Sequence, residues 1–294
     1  MRLSFDLGEL RRQRMSDAHL DQVLDAMHRD GFVVLEQVVD HGPLDMLKER
    51  MDRDSRELLA FCETIGGNPR DVGHLQQGPP PFAPHVFRQL LVHPLVTQVS
   101  HALLGEYAFN NFYNGNTNAP GSVYQQVHLD NPHMPRGGNI PHPAYSFVVN
   151  IVPQDADESN GAVELWPGTH RMLTTTPVPE DVVERRRAEA PPIQSCVRKG
   201  DILLRDARLW HRGIPNSSNE FRHMIALVHV AGWLPRRTPL RFGVGCEEVF
   251  ADSRFDSNAH FTGEPIDYLL GPTKRVFQRR QLTEEASSSV RPQS

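Results

Sequence analysis

Residues Val123 to Pro132 read VYQQVHLDNP, and the fold turns on how this run is built. If Tyr124 to Asp130 run as a β-strand, the two-residue side-chain period sets Gln126, His128 and Asp130 on one face. An imidazole and a carboxylate then address the same space. A divalent metal that must also hold substrate and oxygen needs such a half-shell, because two His and one carboxylate on one side leave the opposite positions open. The second His has to come from elsewhere in the chain.

The dyad alone is weak. With fifteen His in 294 residues, roughly one His-x-Asp arises by chance, and His28-Arg29-Asp30 is such a decoy. That triplet imitates the catalytic loop of a protein kinase, but no Gly-rich phosphate loop precedes it and no Asp-Phe-Gly follows. It closes an amphipathic pattern at Gly31, so a solvated helix end is expected there. What lifts His128 and Asp130 above chance is Lys199 to Val230, KGDILLRDARLWHRGIPNSSNEFRHMIALVHV. Ile202, Leu203 and Leu204 follow a Gly-Asp turn and read as a strand, Trp210-His211-Arg212-Gly213 ends in a turn, and Arg222 opens a strand through Val230. His211 is thus available as the third ligand, and Arg222 lies eleven residues beyond it.

Taken together these motifs resemble the phytanoyl-CoA dioxygenase family, within the Fe(II)- and 2-oxoglutarate-dependent oxygenases. The family pattern is His-x-Asp, a distal His, and an Arg eleven residues on that binds the distal carboxylate of 2-oxoglutarate. Asp30-Gly-Phe-Val-Val-Leu35 and Asn160-Gly-Ala-Val-Glu-Leu-Trp-Pro-Gly-Thr-His170 agree with it, and the similarity spans roughly residues 15 to 235.

The resemblance implies a mainly β fold with N-terminal helices, a double-stranded β-helix (jelly roll, cupin-like). It implies Fe(II) held by His128, Asp130 and His211, with 2-oxoglutarate as cosubstrate anchored by Arg222, and O2 as oxidant. The implied reaction hydroxylates or otherwise oxidises an unactivated C–H bond of a small molecule and releases succinate and carbon dioxide; desaturation or cyclisation would use the same apparatus. Relatives often place a Gln three residues before the first ligand near the cosubstrate, which points to Gln125, whereas a regular strand aims Gln126 inward. They also place a side chain at the position of Asn150 near the oxoglutarate. Some carry a hydroxyl residue where this chain has Val163, so part of that hydrogen bonding is absent or rebuilt elsewhere. Asp130 argues against halogenation, since related halogenases have a small residue there. A specialised-metabolite or amino-acid-derived substrate is preferred over an acyl-CoA, because no clustered basic surface for a CoA phosphate stands out.

Length, charge and cysteine usage bound the rest. A jelly-roll chain of this size folds as one domain. We expect a single oxygenase domain over 1–283, with helical support to about 104, a core over about 105–235, an extension over 236–283, and a disordered tail at 284–294. The net charge of −5, without an extended basic run, implies no nucleic-acid partner. Cys62, Cys196 and Cys246 are odd in number and widely spaced, which suits a reducing compartment. The start, MRLSFDLGELRRQRM, lacks the apolar core of a signal peptide, no apolar run approaches a membrane helix, and the final Arg-Pro-Gln-Ser is no peroxisomal address. A cytoplasmic monomer or homodimer with no membrane partner is expected.

Periodicity predicts a helix from Ser16 or Asp17 in which Leu20, Val23, Leu24 and Met27 recur at i, i+3, i+4 and i+7, and a second from near Asp40 burying Leu44, Leu47 and Met51. Further expectations are a loop over Gly66 to Pro84, a helix over Pro94 to Leu104, a strand over Tyr107 to Tyr113, and a buried central strand over Tyr145 to Val152. The loop Asn131 to Pro143 is a candidate lid, with His133, Met134 and His142 as candidate substrate contacts. Ala162 to Trp166 reads as a strand and Glu180 to Ala190 as a short helix. Ile193 to Val197 and Ile202 to Arg205 read as a hairpin across Lys199-Gly200. Trp166, Trp210 and Trp233 read as core.

Two other functions fit parts of the pattern. A non-catalytic jelly-roll ligand-binding protein with a closed structural metal site would need a fourth ligand, for which Glu164, Asp206 and His223 are the candidates. A cosubstrate-independent cupin-like oxygenase or isomerase gives Arg222 no role. A surface ion pair for Arg222 would contribute only about 0 to 1 kcal/mol and leaves its spacing from His211 without a reason.

Overall fold

The computed structural model describes residues 1–65, 73–134, 142–251 and 253–274. The expected tail, the first part of the loop at 66–84 and the middle of the loop leaving Asp130 lie outside them. In chain order the elements are β1 (Arg2–Leu3), α1 (Leu7–Arg12), α2 (Asp17–Arg29), β2 (Phe32–Leu35), α3 (His41–Thr64) and β3 (His74–Gln76). Next come α4 (Arg88–Leu91), α5 (Pro94–Leu104), β4 (Phe109–Asn118), β5 (Ser146–Ile151), β6 (Glu164–Leu165) and α6 (Glu180–Glu189). The chain continues through β7 (Ile193–Gln194), β8 (Ile202–Asp206), β9 (His211–Arg212), β10 (Arg222–Val230), β11 (Leu240–Gly243), α7 (Glu247–Phe250) and β12 (Ala259–Thr262).

Two sheets carry the fold. The large one runs β1-β2-β8-β5-β10-β4-β3, antiparallel except for β1 against β2, and the small one runs β7-β6-β9. Both faces of β5 are covered and all six of its residues are buried, as the unbroken run SFVVNI predicts for a central strand. β10 obeys the two-residue period: Arg222, Met224, Ala226, Val228 and Val230 face a cavity between the sheets. Ile225 and Leu227 face the other way, into the main core with Leu44, Leu47 and Met51 of α3. The helices therefore cover the outer face of the large sheet, leaving its inner face for the site.

The helices start where local chemistry supplies partners for their first amides. Ser16 Oγ accepts from His19 N at the head of α2, and Asp6 with Glu9 forms a reciprocal cap on α1. The decoy triplet at His28 to Asp30 ends α2, with Gly31 in the left-handed region just beyond. Between β4 and β10 the register shifts by one residue, Leu227 facing Tyr113 and His229 facing Asn110. This bulge turns both Asn111 and Phe112 toward the cavity.

Several expectations are corrected. The run at 124–130 is extended but makes no regular ladder. His128 pairs with His211 by two backbone bonds of 3.0 Å, while Leu129 N donates to Thr176 Oγ1 and Val127 O accepts from Val178 N. Its other edge is thus covered by an irregular segment, which interrupts the pattern a strand requires. The segment at 193–197 and β8 do not form a hairpin: β7 pairs with β6 in the small sheet and β8 with β2 and β5 in the large one. The Lys199-Gly200 turn moves the chain between sheets, and a turn motif alone does not name the strand's partner. The strand expected at 107–113 is β4, beginning at Phe109 and running to Asn118, and that expected at 162–166 is reduced to β6. Trp166 and Trp210 are fully buried, whereas Trp233 is 64% exposed past the end of β10.

Candidate metal centre

His128, Asp130 and His211 converge: one ligand atom from each lies within 4.8 Å of the other two, and they are the one such group found among the described residues. The backbone pairing of His128 with His211 does this, since residues directly opposite in an antiparallel pair present their side chains on the same face. Their rings lie 4.3 Å apart, and His211 Nε2 is 3.6 Å from Asp130 Oδ1. His128 Nδ1 is 2.8 Å from the Gln126 carbonyl and His211 Nδ1 is 3.0 Å from the Leu209 carbonyl. A carbonyl can only accept, so each Nδ1 carries the proton and each Nε2 offers its lone pair to the shared space.

Electrostatics keep the group ready for a cation. Burial lowers the His211 imidazole well below its ordinary value, helped by the charge of Arg205, so the ring is neutral. Burial pushes the Asp130 carboxyl up, but the charge and hydrogen bond of Arg205 outweigh it and hold the group below the usual carboxylate range. Two imidazoles and one carboxylate, open on one side, suit Fe(II). The fourth ligands that a closed site would need are engaged elsewhere: Glu164 with Arg212, Asp206 with Arg208, and His223 with Asp52 and Thr117.

Arg222 enters the same cavity, of about 430 Å³, from the first position of β10. It is 1% exposed, yet only Nη2 has a partner, the Gly161 carbonyl at 3.0 Å; Nε and Nη1 have none. Burial lowers its pKa to about 10, so the guanidinium remains charged at neutral pH. A buried cation with two unused donor nitrogens costs several kcal/mol unless an anion meets it. Gly161 has φ of +82°, and a Cβ there would sit 2.2 Å from Asn118 Nδ2. The carbonyl that steadies Arg222 therefore rests on a turn open to glycine alone.

Of the two glutamines, Gln125 lines the cavity and Gln126 is exposed. Gln125 Oε1 accepts from Gly213 N at 2.8 Å, where a Cβ on residue 213 would lie 2.9 Å from that oxygen and 2.4 Å from His74 Cε1. Asn150 also lines the cavity; its Oδ1 accepts from Arg205 Nε at 3.0 Å, which fixes the amide, and its buried Nδ2 has no partner. Val163 stands in the wall beside them. His133, Met134 and His142 are not among the residues lining the cavity; the amide of Met134 donates instead to His142 Nε2.

Arg205 is the residue the motifs did not single out. It is 4% exposed and joins Asp130 Oδ2, at 2.5 Å, to Asn150. Its sequence signal is a lone charge in ILLRD, a run otherwise apolar up to the aspartate, because a charge inside a fully buried strand needs a partner there.

The sequence model of the phytanoyl-CoA dioxygenase (PhyH) family matches residues 27–224, a span holding all three candidate ligands and Arg222. The chain belongs to this family. As a PhyH-family oxygenase it is 26% identical over 222 residues to the uncharacterized protein Rv1501 of Mycobacterium tuberculosis, covering 73% of this chain and 76% of that one. It is 23% identical over 244 residues to the dioxygenase FUM3 of Gibberella moniliformis, covering 76% of each. Among solved structures, AviO1 from Streptomyces viridochromogenes Tue57 superposes with a TM-score of 0.52 at 20% identity, over 75% of this chain and 99% of that one. The α-ketoglutarate-dependent epimerase SnoN from nogalamycin biosynthesis gives 0.50 at 20% identity, over 74% and 84%. These likenesses place the PhyH-family chain in the jelly-roll oxygenase fold. No helix among the described residues is long and apolar enough to cross a membrane.

Proposed function

We propose that this PhyH-family oxygenase depends on Fe(II) and 2-oxoglutarate and oxidises an unactivated C–H bond of a small, specialised-metabolite or amino-acid-derived molecule. The observation that carries the reading is the pairing, in one cavity, of an open His-Asp-His group with a buried arginine lacking an anion. His128, Asp130 and His211 would hold the iron, which supplies the coupling of 2-oxo-acid decarboxylation to C–H oxidation.

The remaining roles belong to the chain. Arg222 would meet the distal carboxylate through Nε and Nη1, a bidentate match that an ammonium cannot reproduce. Asn150 Nδ2, its orientation set by Arg205, would donate to a cosubstrate oxygen, and Gln125 holds the Gly213 turn against the same space. Phe112, Met224, Ala226 and Val228 form an apolar wall that keeps water from the reacting carbon. A relative named as a dioxygenase, and a fold neighbour from nogalamycin biosynthesis, support a small biosynthetic substrate.

The test is anaerobic addition of 2-oxoglutarate to the Fe(II)-loaded protein, followed by oxygen and candidate substrates. A visible charge-transfer band and later succinate are expected; their joint absence defeats the reading. Arg222→Lys should raise the Michaelis constant for 2-oxoglutarate by about tenfold or more, the loss of one to two charge-assisted hydrogen bonds. An unchanged constant would move the anchor elsewhere.

A further inference from the structure

Charge is distributed unevenly between the cavity and the rest of the chain. The protein carries a net charge of −5, yet the described residues lining the cavity include three arginines, Arg205, Arg222 and Arg237, against one carboxylate, Asp130, and no lysine or glutamate. Two of the arginines already have a use. Arg205 pairs with Asp130, and Arg222 would meet the distal carboxylate of 2-oxoglutarate. Fe(II) and the 2-oxoglutarate dianion bring equal and opposite charge, so loading the site leaves the positive excess in place. That excess is Arg237, which makes no hydrogen bond or ion pair among the described residues.

Strand register sets Arg222 and Arg237 at opposite ends of the cavity. Arg222 is the first residue of β10 and Val230 the last. Arg205, which holds Asp130, pairs with Val148, and Val148 pairs with Val228, so the metal-facing carboxylate is held one inward-facing position short of Val230. Past Val230 the chain turns back over the end of the sheet. Arg236 stacks 4.6 Å over the ring of Phe109, the partner of Val230 in β4, and donates to Asp256 at 2.6 Å. This clamp fixes the loop, and the exposed Arg237 follows it at the cavity mouth. The lining at this end is otherwise uncharged: Phe112, Val228, Val230 and the carboxamide of Asn111. One guanidinium among neutral neighbours balances one negative charge, and its planar fork matches a carboxylate; a phosphate dianion would call for further donors.

We propose that Arg237 determines substrate specificity, meeting the carboxylate of a singly anionic small molecule whose C–H bond then lies inward, over Phe112 and Val228, toward the metal ligands. This rests on the 2-oxoglutarate reading above and narrows its substrate. The one acidic group of the described lining, Asp130, is committed to Arg205 and the metal, so a substrate ammonium would find no partner. An amino-acid-derived substrate therefore carries its nitrogen acylated or otherwise uncharged. The positive cavity also draws such an anion in from solution.

The experiment uses the N-acetyl derivatives of the proteinogenic L-amino acids, each with its methyl ester, on protein loaded anaerobically with Fe(II) and 2-oxoglutarate. Calorimetry reads binding, and succinate release after oxygen is admitted reads turnover. Wild type should bind at least one acid about five- to tenfold more tightly than its ester, an effect between that of an exposed ion pair and a charge-assisted hydrogen bond. Arg237→Gln should abolish this preference by weakening the acid and not the ester, and Arg237→Lys should keep most of it, which separates charge from packing. For an acid that is turned over, Arg237→Gln should act on the Michaelis constant more than on kcat. Esters bound as tightly as acids by wild type, an unchanged acid-to-ester ratio in Arg237→Gln, or no acid bound at all would each overturn the assignment. A missing charge-transfer band when 2-oxoglutarate is added would instead sink the dioxygenase reading; with the band present, only the role of Arg237 falls.

Discussion

Arg205 ties the metal-facing carboxylate to the amide of Asn150 from a buried position, so a single side chain sets the direction of two groups in the cavity. Arg205→Met keeps the length and loses both bonds. Metal affinity should fall about 10- to 100-fold, the range for removing a partner that orients a ligand, measured by competition titration with a chelating dye. Affinity within twofold of wild type would reduce Arg205 to packing. A second buried group speaks to pH. His229 lies between Phe147 and Phe255 with Ser100 Oγ 2.7 Å from Nδ1, and burial, with a smaller push from His101, lowers it from 6.5 to about 3. The unfolded chain takes up a proton near pH 6.5 that the native ring refuses until about pH 3, so stability is lost as pH falls through that window and is unaffected above it. His229→Gln should flatten this part of the acid limb in denaturant titrations; an unchanged slope would assign it to the other buried imidazoles. At this scale the sequence was readable where spacing carried the message, as with His128, Asp130, His211 and Arg222. Arg205 was not, because which side chain meets which across two strands depends on register, and no local pattern records it.

Elements with a strong period were legible almost to the residue. α5 begins and ends where its Pro and Gly predict, β10 spans the expected Arg222–Val230, and the stripe of α3 is buried as read. Leu47 is fully buried in that stripe, and Leu47→Ala should cost about 2 to 5 kcal/mol, seen as a lowered denaturation midpoint with an unchanged slope. A loss below 1 kcal/mol would mean the helix layer is not integral to the core. The misread elements share a cause. The run at 124–130 and the segment at 193–197 sit in or beside the small sheet, where pairings are short and irregular segments complete the edges. Their sequences specify extended backbone without specifying a neighbour. The small sheet also supplies His211 through β9, so the part of the fold hardest to read lies closest to the chemistry.

For the molecule as a whole, a cation held by residues brought from 128–130 and 211 would close a connection between distant segments, and would bind the folded chain in preference to the unfolded one. Saturating a site at a hundred times its dissociation constant stabilises by about 2.7 kcal/mol. Thermal melts under argon with Fe(II), or with Co(II) as a spectroscopic substitute, should therefore move upward, and His211→Ala should lose most of that response. An equal shift in both proteins would locate the cation elsewhere.

The strand Arg222–Val230 has the helical layer on one side and the reaction chamber on the other, with no intervening layer. A saturation library across these nine positions should consequently sort by parity. Substitutions at 223, 225, 227 and 229 would deplete soluble yield, while those at 222, 224, 226 and 228 would leave well-folded protein with altered turnover or substrate preference. Descendants of this scaffold could thus acquire new chemistry through even-numbered changes alone, without disturbing the half of the strand that keeps the chain folded.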